Sequence, residues 1–103
     1  MIIISKKAIN FFERILGGGI NAIAFYPFIF IAPGVKITDE LINHEKIHLK
    51  QQLELLIIPF YIWYLIALYR VGYNNICFER EAYANENNLN YRKSRKLFSF
   101  LKY

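Results

Sequence analysis

The chain has 103 residues, enough for one domain with one core and too few for two. Apolar residues make up 55% and aromatic residues 17% of the sequence, which excludes a disordered chain. The single cysteine, Cys77, excludes an intramolecular disulfide and favours a reducing compartment, so we expect a cytoplasmic protein. The start of the chain is not typical of a signal peptide, because its first lysines follow a very short apolar run instead of preceding a long one.

The formal net charge is +5, and the excess lies near the end of the chain. Five cations fall in this last stretch: Arg92, Lys93, Arg95, Lys96 and Lys102. They indicate either a solvated helix end or attraction to the anionic headgroups of a membrane surface. No recognised nucleic-acid-binding module is visible, so no nucleic acid is expected as a partner.

The first predicted element is a short amphipathic helix over residues 5–16. Ile9, Phe12 and Leu16 recur there at helical spacing. Three glycines, residues 17–19, favour the end of this helix over another turn.

Residues 20–31 are rich in Ile and Phe and short of charge, which predicts strands, with Pro27 interrupting them or marking an edge. A turn is expected at Pro33, followed by a brief extended segment over residues 35–37. We therefore expect a small antiparallel sheet or hairpin within about residues 20–37.

A long helix is predicted to begin at Thr38 or Asp39, either of which can cap it, and to continue to about Ile58. Pro59 would then break or kink it. A second helix, apolar and aromatic, is predicted over residues 60–69.

The end of the chain is predicted to contain a loop over residues 72–75 and a last helix from about Phe78 to Leu97 or beyond. Together the predicted elements indicate a mostly helical α+β fold in which residues 1–103 form one domain.

The only two histidines, His44 and His48, occur in the string H-E-K-I-H within the long predicted helix. Residues four apart lie one turn apart on the same face of a helix, so both imidazoles can reach one ion. Glu45 lies beside them and is placed to accept a proton from a metal-activated water, which is the logic of H-E-x-x-H. The pattern favours a zinc site over a chance pair of histidines.

A catalytic zinc site needs a third protein ligand. Elimination leaves the glutamates of the last helix, Glu79, Glu81 and Glu86, because no third histidine exists and Cys77 is a less usual choice. Glu79 has Ala82 three residues later and Glu81 has Ala84, and a small residue permits the close helix approach that a shared metal requires. Periodicity does not choose between the two glutamates, and the other would be a solvated or salt-bridged surface residue.

The H-E-K-I-H string resembles the motif of the gluzincin metallopeptidases, in which H-E-x-x-H is followed by a downstream glutamate. The string E-R-E-A-Y resembles the E-x-x-A-D/N pattern of several gluzincin-like families, with Glu79 at the ligand position and Tyr83 where those families carry Asp or Asn. Aligned from Glu81 instead, Ala84 and Asn85 match the same pattern. The whole E-x-E-A string aligns best with Glu79 as the ligand.

The longer string H-E-K-I-H-L-K-Q-Q is similar to the H-E-x-x-H-x-x-Q-Q of a class of bacterial metallopeptidase-like domains. One of Gln51 and Gln52 could face the site, although solvated helix glutamines are the expected case. Over most of its length the chain resembles a family of small proteins of the Bacteroidota that carry this helix and the F-E-R-E-A-Y segment. The likeness to small gluzincins implies a minimal zincin-like domain of strands, an active-site helix and a C-terminal glutamate helix.

Residues 55–69 carry no charge, but this stretch is shorter than the roughly 20 residues that span a bilayer as a helix. Tyr61, Trp63, Tyr64 and Tyr69 are of the aromatic types that favour a membrane interface. We expect a buried core helix here, with contact to a membrane surface or to another protein as alternatives.

The predicted function is that of a zinc-dependent metallopeptidase acting on a peptide or protein substrate. The predicted zinc ligands and general base are His44, His48, Glu79 (or Glu81) and, as the base, Glu45. A strand within residues 25–31 would line the cleft and pair with an extended substrate, and a tyrosine or arginine would supply the electrophile. The alternatives are a non-catalytic zinc-binding or membrane-associated interaction module, and a structural protein with an accidental motif.

Overall fold

Helices and a small sheet make up the chain in a computed structural model that describes residues 1–103. The regular elements are β1 (Ile2–Ile4), α1 (Lys6–Leu16), β2 (Ala22–Phe25), β3 (Phe28–Ile31), α2 (Asp39–Leu55), α3 (Ile57–Val71), α4 (Cys77–Asn85) and α5 (Tyr91–Ser94). Two short 3-10 helices occur at Tyr73–Asn75 and Ser99–Lys102. The predicted α+β class and its helical majority are confirmed.

The helix predicted over residues 5–16 is confirmed to within one residue. The Ser5 side chain caps α1 by accepting a hydrogen bond from the Ala8 N–H at 3.1 Å. At the other end Gly17 adopts a φ of 103° and donates its N–H to the carbonyl of Glu13. A glycine suits this position because a side chain disfavours positive φ.

The sheet has three strands in the order β1-β3-β2. The predicted antiparallel hairpin is present, because β2 pairs antiparallel with β3 and the turn between them contains Pro27. A purely antiparallel sheet is wrong, since β1 runs parallel to β3 with Ile3 opposite Phe30. The segment 35–37 joins no strand, and β3 already has a neighbour on each side.

Thr38 caps α2 by accepting from the Leu41 N–H at 3.1 Å, as predicted. The predicted end near Ile58 is wrong, because α2 ends at Leu55 and the chain turns at Leu56, where φ is 64°. Pro59 is the third residue of α3, within a first turn where a missing N–H costs little. No single helix combines the length and apolar composition needed to cross a bilayer; only α2 and α3 taken together, across a 112° bend, would combine them.

The last predicted helix, from Phe78 to Leu97, is also wrong, because α4 ends at Asn85. The amide of Asn43 on α2 donates to the carbonyls of Asn85, Glu86 and Asn88 at 3.3, 2.8 and 3.1 Å. This side chain satisfies carbonyls that would otherwise lack partners at the helix end, so the chain can turn back toward α2.

The apolar core has two parts, one under α1 and one between α3, α4 and the C-terminal 3-10 helix. The first part contains Ile9, Phe12 and Ile23, and the second contains Phe60, Tyr64, Ile76, Phe78 and Phe100. Helix α2, in contrast, buries a mostly polar face. Its seven buried residues are Asn43, His44, Glu45, Ile47, His48, Gln51 and Gln52, of which only Ile47 is apolar. Because buried polar groups need partners, this polar face indicates a functional site on α2.

Candidate metal centre

Helix α2 presents its two histidines to a common point. Nε2 of His44 and Nε2 of His48 are 3.2 Å apart, and both side chains are buried. One helical turn separates them, as the sequence predicts.

Helix α4 adds a carboxylate to this pair. Oε1 of Glu79 lies 3.3 Å from Nε2 of His44 and 3.1 Å from Nε2 of His48. The fully buried Ala82, one turn further along α4, provides the small side chain expected at a close helix contact. Among the two glutamates left open by the sequence, the structure brings Glu79 to the histidines.

Glu81 lies elsewhere, in a buried ion-pair cluster. Both of its carboxylate oxygens accept from the Arg95 guanidinium, at 2.8 and 3.0 Å, and Tyr91 donates to it at 2.6 Å. Arg95 also bonds Glu54 at 2.7 Å. Glu81 is salt-bridged, as expected for the glutamate not facing the histidines, but it is fully buried instead of being a surface residue.

The distances between the three converging atoms match those between the ligands of a tetrahedral zinc ion. Zinc bonds of about 2.0–2.1 Å to nitrogen and oxygen place neighbouring tetrahedral ligands about 3.3 Å apart. The edges of this triangle, joining His44, His48 and Glu79, measure 3.1–3.3 Å. Two imidazoles and one carboxylate also form a common donor set for catalytic zinc.

The hydrogen bonds behind the histidines indicate that their Nε2 atoms carry lone pairs. Nδ1 of His44 lies 2.7 Å from Oε1 of Glu86, and Nδ1 of His48 lies 2.7 Å from Oε1 of Gln51. Both partners are acceptors, so each neutral imidazole holds its proton on Nδ1. Two lone pairs and a carboxylate oxygen then face one another, an arrangement that a cation stabilises.

Gln51 is fixed in this orientation by its own amide nitrogen, which donates to the Phe78 carbonyl at 3.1 Å and to Glu81 at 2.8 Å. Gln52 is also buried and ties α2 to the sheet, donating to the Ala24 carbonyl at 2.8 Å. The expectation of solvated glutamines is therefore wrong for both.

The second oxygen of Glu79 is also occupied. Tyr64 of α3, itself buried, donates its hydroxyl to Oε2 of Glu79 at 2.6 Å. This bond fixes the carboxylate so that Oε1 faces the imidazoles. The sequence indicated Tyr64 only as part of the apolar helix and Glu86 only as a glutamate of the last helix, and it predicted neither as a partner of the metal ligands. The only local signal for these partners was the spacing of Gln51, three residues after His48.

The charges of the site favour a bound cation. Burial alone would lower the pKa of His48, but the Glu79 carboxylate and the hydrogen bonds of the ring raise it to about 9. Burial would raise the pKa of Glu79, but His48 and the hydrogen bonds from His44, His48 and Tyr64 hold it well below its ordinary value. Without a metal ion, a proton therefore occupies Nε2 of His48 at neutral pH, and zinc would bind the neutral ring by displacing that proton.

Glu45 is buried next to this triangle but contributes none of the three converging ligand atoms. Burial raises its pKa above the ordinary 4.5, while the nearby His48 and His44 act in the opposite direction. A carboxyl group whose proton affinity is raised in this way is suited to proton transfer.

A cleft of about 540 Å³ opens onto Glu45 and the metal-binding triangle. Its walls come from α2, the inner side of α3, the glycine segment after α1, and β2. The prediction that residues 25–31 line it is wrong. β3 is the central strand with both edges paired, and it is the edge strand β2, through Ala22, Ile23 and Ala24, that reaches the cleft.

Two tyrosines stand at the cleft near His44. The hydroxyls of Tyr73 and Tyr83 are 2.8 Å apart, and the Tyr83 ring packs edge-on against the His44 ring with centroids 4.5 Å apart. Both tyrosines are partly exposed, and no arginine lines the cleft.

Comparison of the chain with protein-family models, with curated proteins and with solved structures finds no match.

Proposed function

We propose that this protein is a zinc-dependent metallopeptidase with a minimal gluzincin-like site. The observation that carries the proposal is the convergence of His44 Nε2, His48 Nε2 and Glu79 Oε1 within 3.3 Å of one another at the base of an open cleft. Helix α2, helix α4 and the three-stranded sheet would correspond to the active-site helix, glutamate helix and strands of a small zincin-like fold.

In this proposal His44, His48 and Glu79 hold zinc, and Glu86, Gln51 and Tyr64 hold the three ligands in position. Bound zinc would polarise a substrate carbonyl and lower the pKa of a water molecule beside it.

Glu45 accepts a proton from the attacking water and delivers it to the departing amine nitrogen. Its burial supports this role, because a carboxylate that has lost its hydration shell is a stronger base.

The free edge of β2 would bind the substrate backbone. Successive residues of an edge strand direct their peptide groups alternately toward and away from the paired strand. The Gln52 side chain donates to the Ala24 carbonyl and accepts from the Tyr26 N–H, so the peptide groups of these two residues point away from β3. Ala22, two residues before Ala24, has the same orientation. The N–H and carbonyl of Ala22 are therefore placed to pair with an extended peptide.

Metal binding is the first test. We expect purified protein to contain one zinc per chain by mass spectrometry, with Glu79→Gln weakening zinc affinity far more than Glu40→Gln, an exposed glutamate of the same cleft. Absence of zinc binding at any stoichiometry would exclude the proposed site.

Hydrolysis is the second test. Zinc-loaded wild-type protein should cleave members of a broad peptide library, and Glu45→Gln should retain zinc while losing at least about 100-fold in rate. Equal inertness of both proteins, with zinc bound in each, would instead identify a non-catalytic zinc-binding module.

A further inference from the structure

Helix α3 has an outer face that is apolar and exposed. Ile58, Ile62, Ile66 and Tyr69 follow one another along this face, and each exposes between 52% and 81% of its surface. The opposite face packs Phe60 and Tyr64 into the core. A helix that buries one face ordinarily carries polar residues on the other, so an apolar outer face over most of the helix length indicates a further contact.

The C-terminal segment extends this apolar surface. Trp63 of α3 packs edge-on against Phe100 with ring centroids 5.6 Å apart, which brings the last 3-10 helix beside α3. Around Phe100, Leu97 and Leu101 expose 76% and 64% of their surfaces. We call this surface the outer apolar face; it consists of Ile58, Ile62, Trp63, Ile66, Tyr69, Leu97 and Leu101.

Cations without ion pairs adjoin members of this surface in the chain. Arg70 follows Tyr69, Lys96 precedes Leu97 and Lys102 follows Leu101; all three cations are exposed and make no ion pair. Arg95, the neighbour of Lys96 in the chain, is already paired with the buried carboxylate of Glu81 and with Glu54.

A second, smaller cavity of about 200 Å³ lies in the C-terminal segment. Lys96, Lys102, Ser94 and Ser99 are among its lining residues. Ammonium and hydroxyl groups together are a suitable environment for a phosphate oxygen.

From these observations we propose that the outer apolar face docks the protein on the surface of an anionic lipid bilayer. Isoleucine, tryptophan and tyrosine side chains would enter the interfacial region, and the lysines would contact lipid phosphates. A second copy of this chain is disfavoured as the occupant, because a symmetric contact would add the cations of the second copy, Lys96 and Lys102 among them, to those of the first at one interface.

Docking in this way leaves the cleft free. The inner side of α3 lines the cleft through Phe60, Tyr61 and Tyr64, whereas the proposed contact uses the opposite side of the same helix. Membrane docking of this kind requires neither bound zinc nor peptidase activity.

Flotation of the full chain with lipid vesicles tests the proposal. We expect co-flotation with vesicles of 70% phosphatidylcholine and 30% phosphatidylglycerol, and clear weakening in high salt. The variant Ile62→Ser/Ile66→Ser should lose binding by at least about tenfold. A matched control, Ile4→Ser/Phe11→Ser, removes two exposed apolar side chains from β1 and α1 and should bind like the wild type.

Charge variants distinguish binding through lipid phosphates from binding through apolar contact. Lys96→Gln/Lys102→Gln should weaken binding to the anionic vesicles by about 25-fold, about fivefold per lysine, and leave binding to pure phosphatidylcholine unchanged. Circular dichroism would verify that each variant is folded. No flotation of folded wild type at low salt, or equal loss in the β1/α1 control, would overturn the proposal. Sedimentation without vesicles provides one more check. A dimer that dissociates in the Ile62→Ser/Ile66→Ser variant would also overturn the proposal.

Discussion

Oε1 of Gln51 lies 2.7 Å from Nδ1 of His48, while the amide nitrogen of the same glutamine bonds the buried Glu81. One side chain thus joins the histidine to the ion-pair cluster of Glu81, Arg95 and Glu54. Since the partner of Nδ1 fixes which ring nitrogen carries the lone pair, Gln51 sets the orientation and tautomer of His48.

Replacing Gln51 by leucine should therefore weaken zinc binding by about 10- to 100-fold. Competition with a chromophoric chelator would measure the affinity. Gln52→Leu is the matched control, because Gln52 is equally buried but bonds β2 instead of a histidine. It should lower the stability of the fold more than the affinity for zinc. Equal zinc affinities for the wild type and Gln51→Leu would contradict the orienting role.

Zinc should stabilise the folded protein, because the three ligand atoms converge only in the folded chain. At a free zinc concentration 100 times the dissociation constant, the gain is about 2.7 kcal/mol. Thermal denaturation with and without zinc should show a clear rise in melting temperature for the wild type. In His44→Ala the rise should disappear; a rise of the same size in that variant would mean that zinc binds elsewhere.

The tyrosine pair at the cleft should contribute to catalysis in the proposed peptidase. A hydroxyl that stabilises charge on the substrate oxygen contributes about 10²–10³ in rate, so Tyr73→Phe or Tyr83→Phe should lower kcat by that order while retaining zinc. Tyr69→Phe, on the exposed side of α3, is the matched control. Full activity in both cleft variants would exclude this pair as the electrophile.

Arg95 should be essential to stability. Its side chain is 2% exposed and holds two carboxylates, those of Glu54 and Glu81. Arg95→Leu leaves buried charges unpaired, which should lower the free energy of unfolding by about 3–5 kcal/mol. Urea denaturation would measure it. Lys93→Leu, which removes an exposed cation without an ion pair, should change stability by no more than about 0.5 kcal/mol. Similar losses in the two variants would be evidence against a structural role for the cluster.

A glycine at position 56, in the turn between α2 and α3, should stabilise the folded protein. Leu56 has a φ of 64° and a ψ of 157°, a region that residues with a side chain rarely adopt. Leu56→Gly should raise the free energy of unfolding by about 1 kcal/mol, because the side chain is exposed and its loss costs little. Leu56→Ala removes most of the same side chain but keeps the strain, and should show no gain. Identical unfolding midpoints for the two variants would argue against strain at this turn.

Local patterns predicted the elements that depend on local rules. Thr38 and Ser5 were recognisable as helix caps, and the four-residue spacing of His44 and His48 placed both rings on one face. The three-residue strand β1 is too short to give a pattern, and it exists because β3 offers it an edge.

The choice between Glu79 and Glu81 depended on contacts distant in sequence. Both lie on α4 and differ by about 200° around its axis, and Arg95, fourteen residues beyond Glu81, pairs with one of them. The length of the last helix was overestimated for a similar reason, since Asn43 of α2 binds the carbonyls where α4 ends. Gln51 and Gln52 were misjudged because glutamine is usually exposed, and nothing in their spacing reveals a buried acceptor.

The polar buried face of α2 has a consequence for how this sequence can vary. Six of its seven buried residues are polar, where a helix of ordinary composition would bury leucine or isoleucine. Apolar substitutions that fill these positions together would remove the need for matched hydrogen bonds, so selection for thermostability alone would be expected to enrich them. Laboratory evolution that screens for melting temperature without screening for zinc should therefore erase the metal centre while the fold persists.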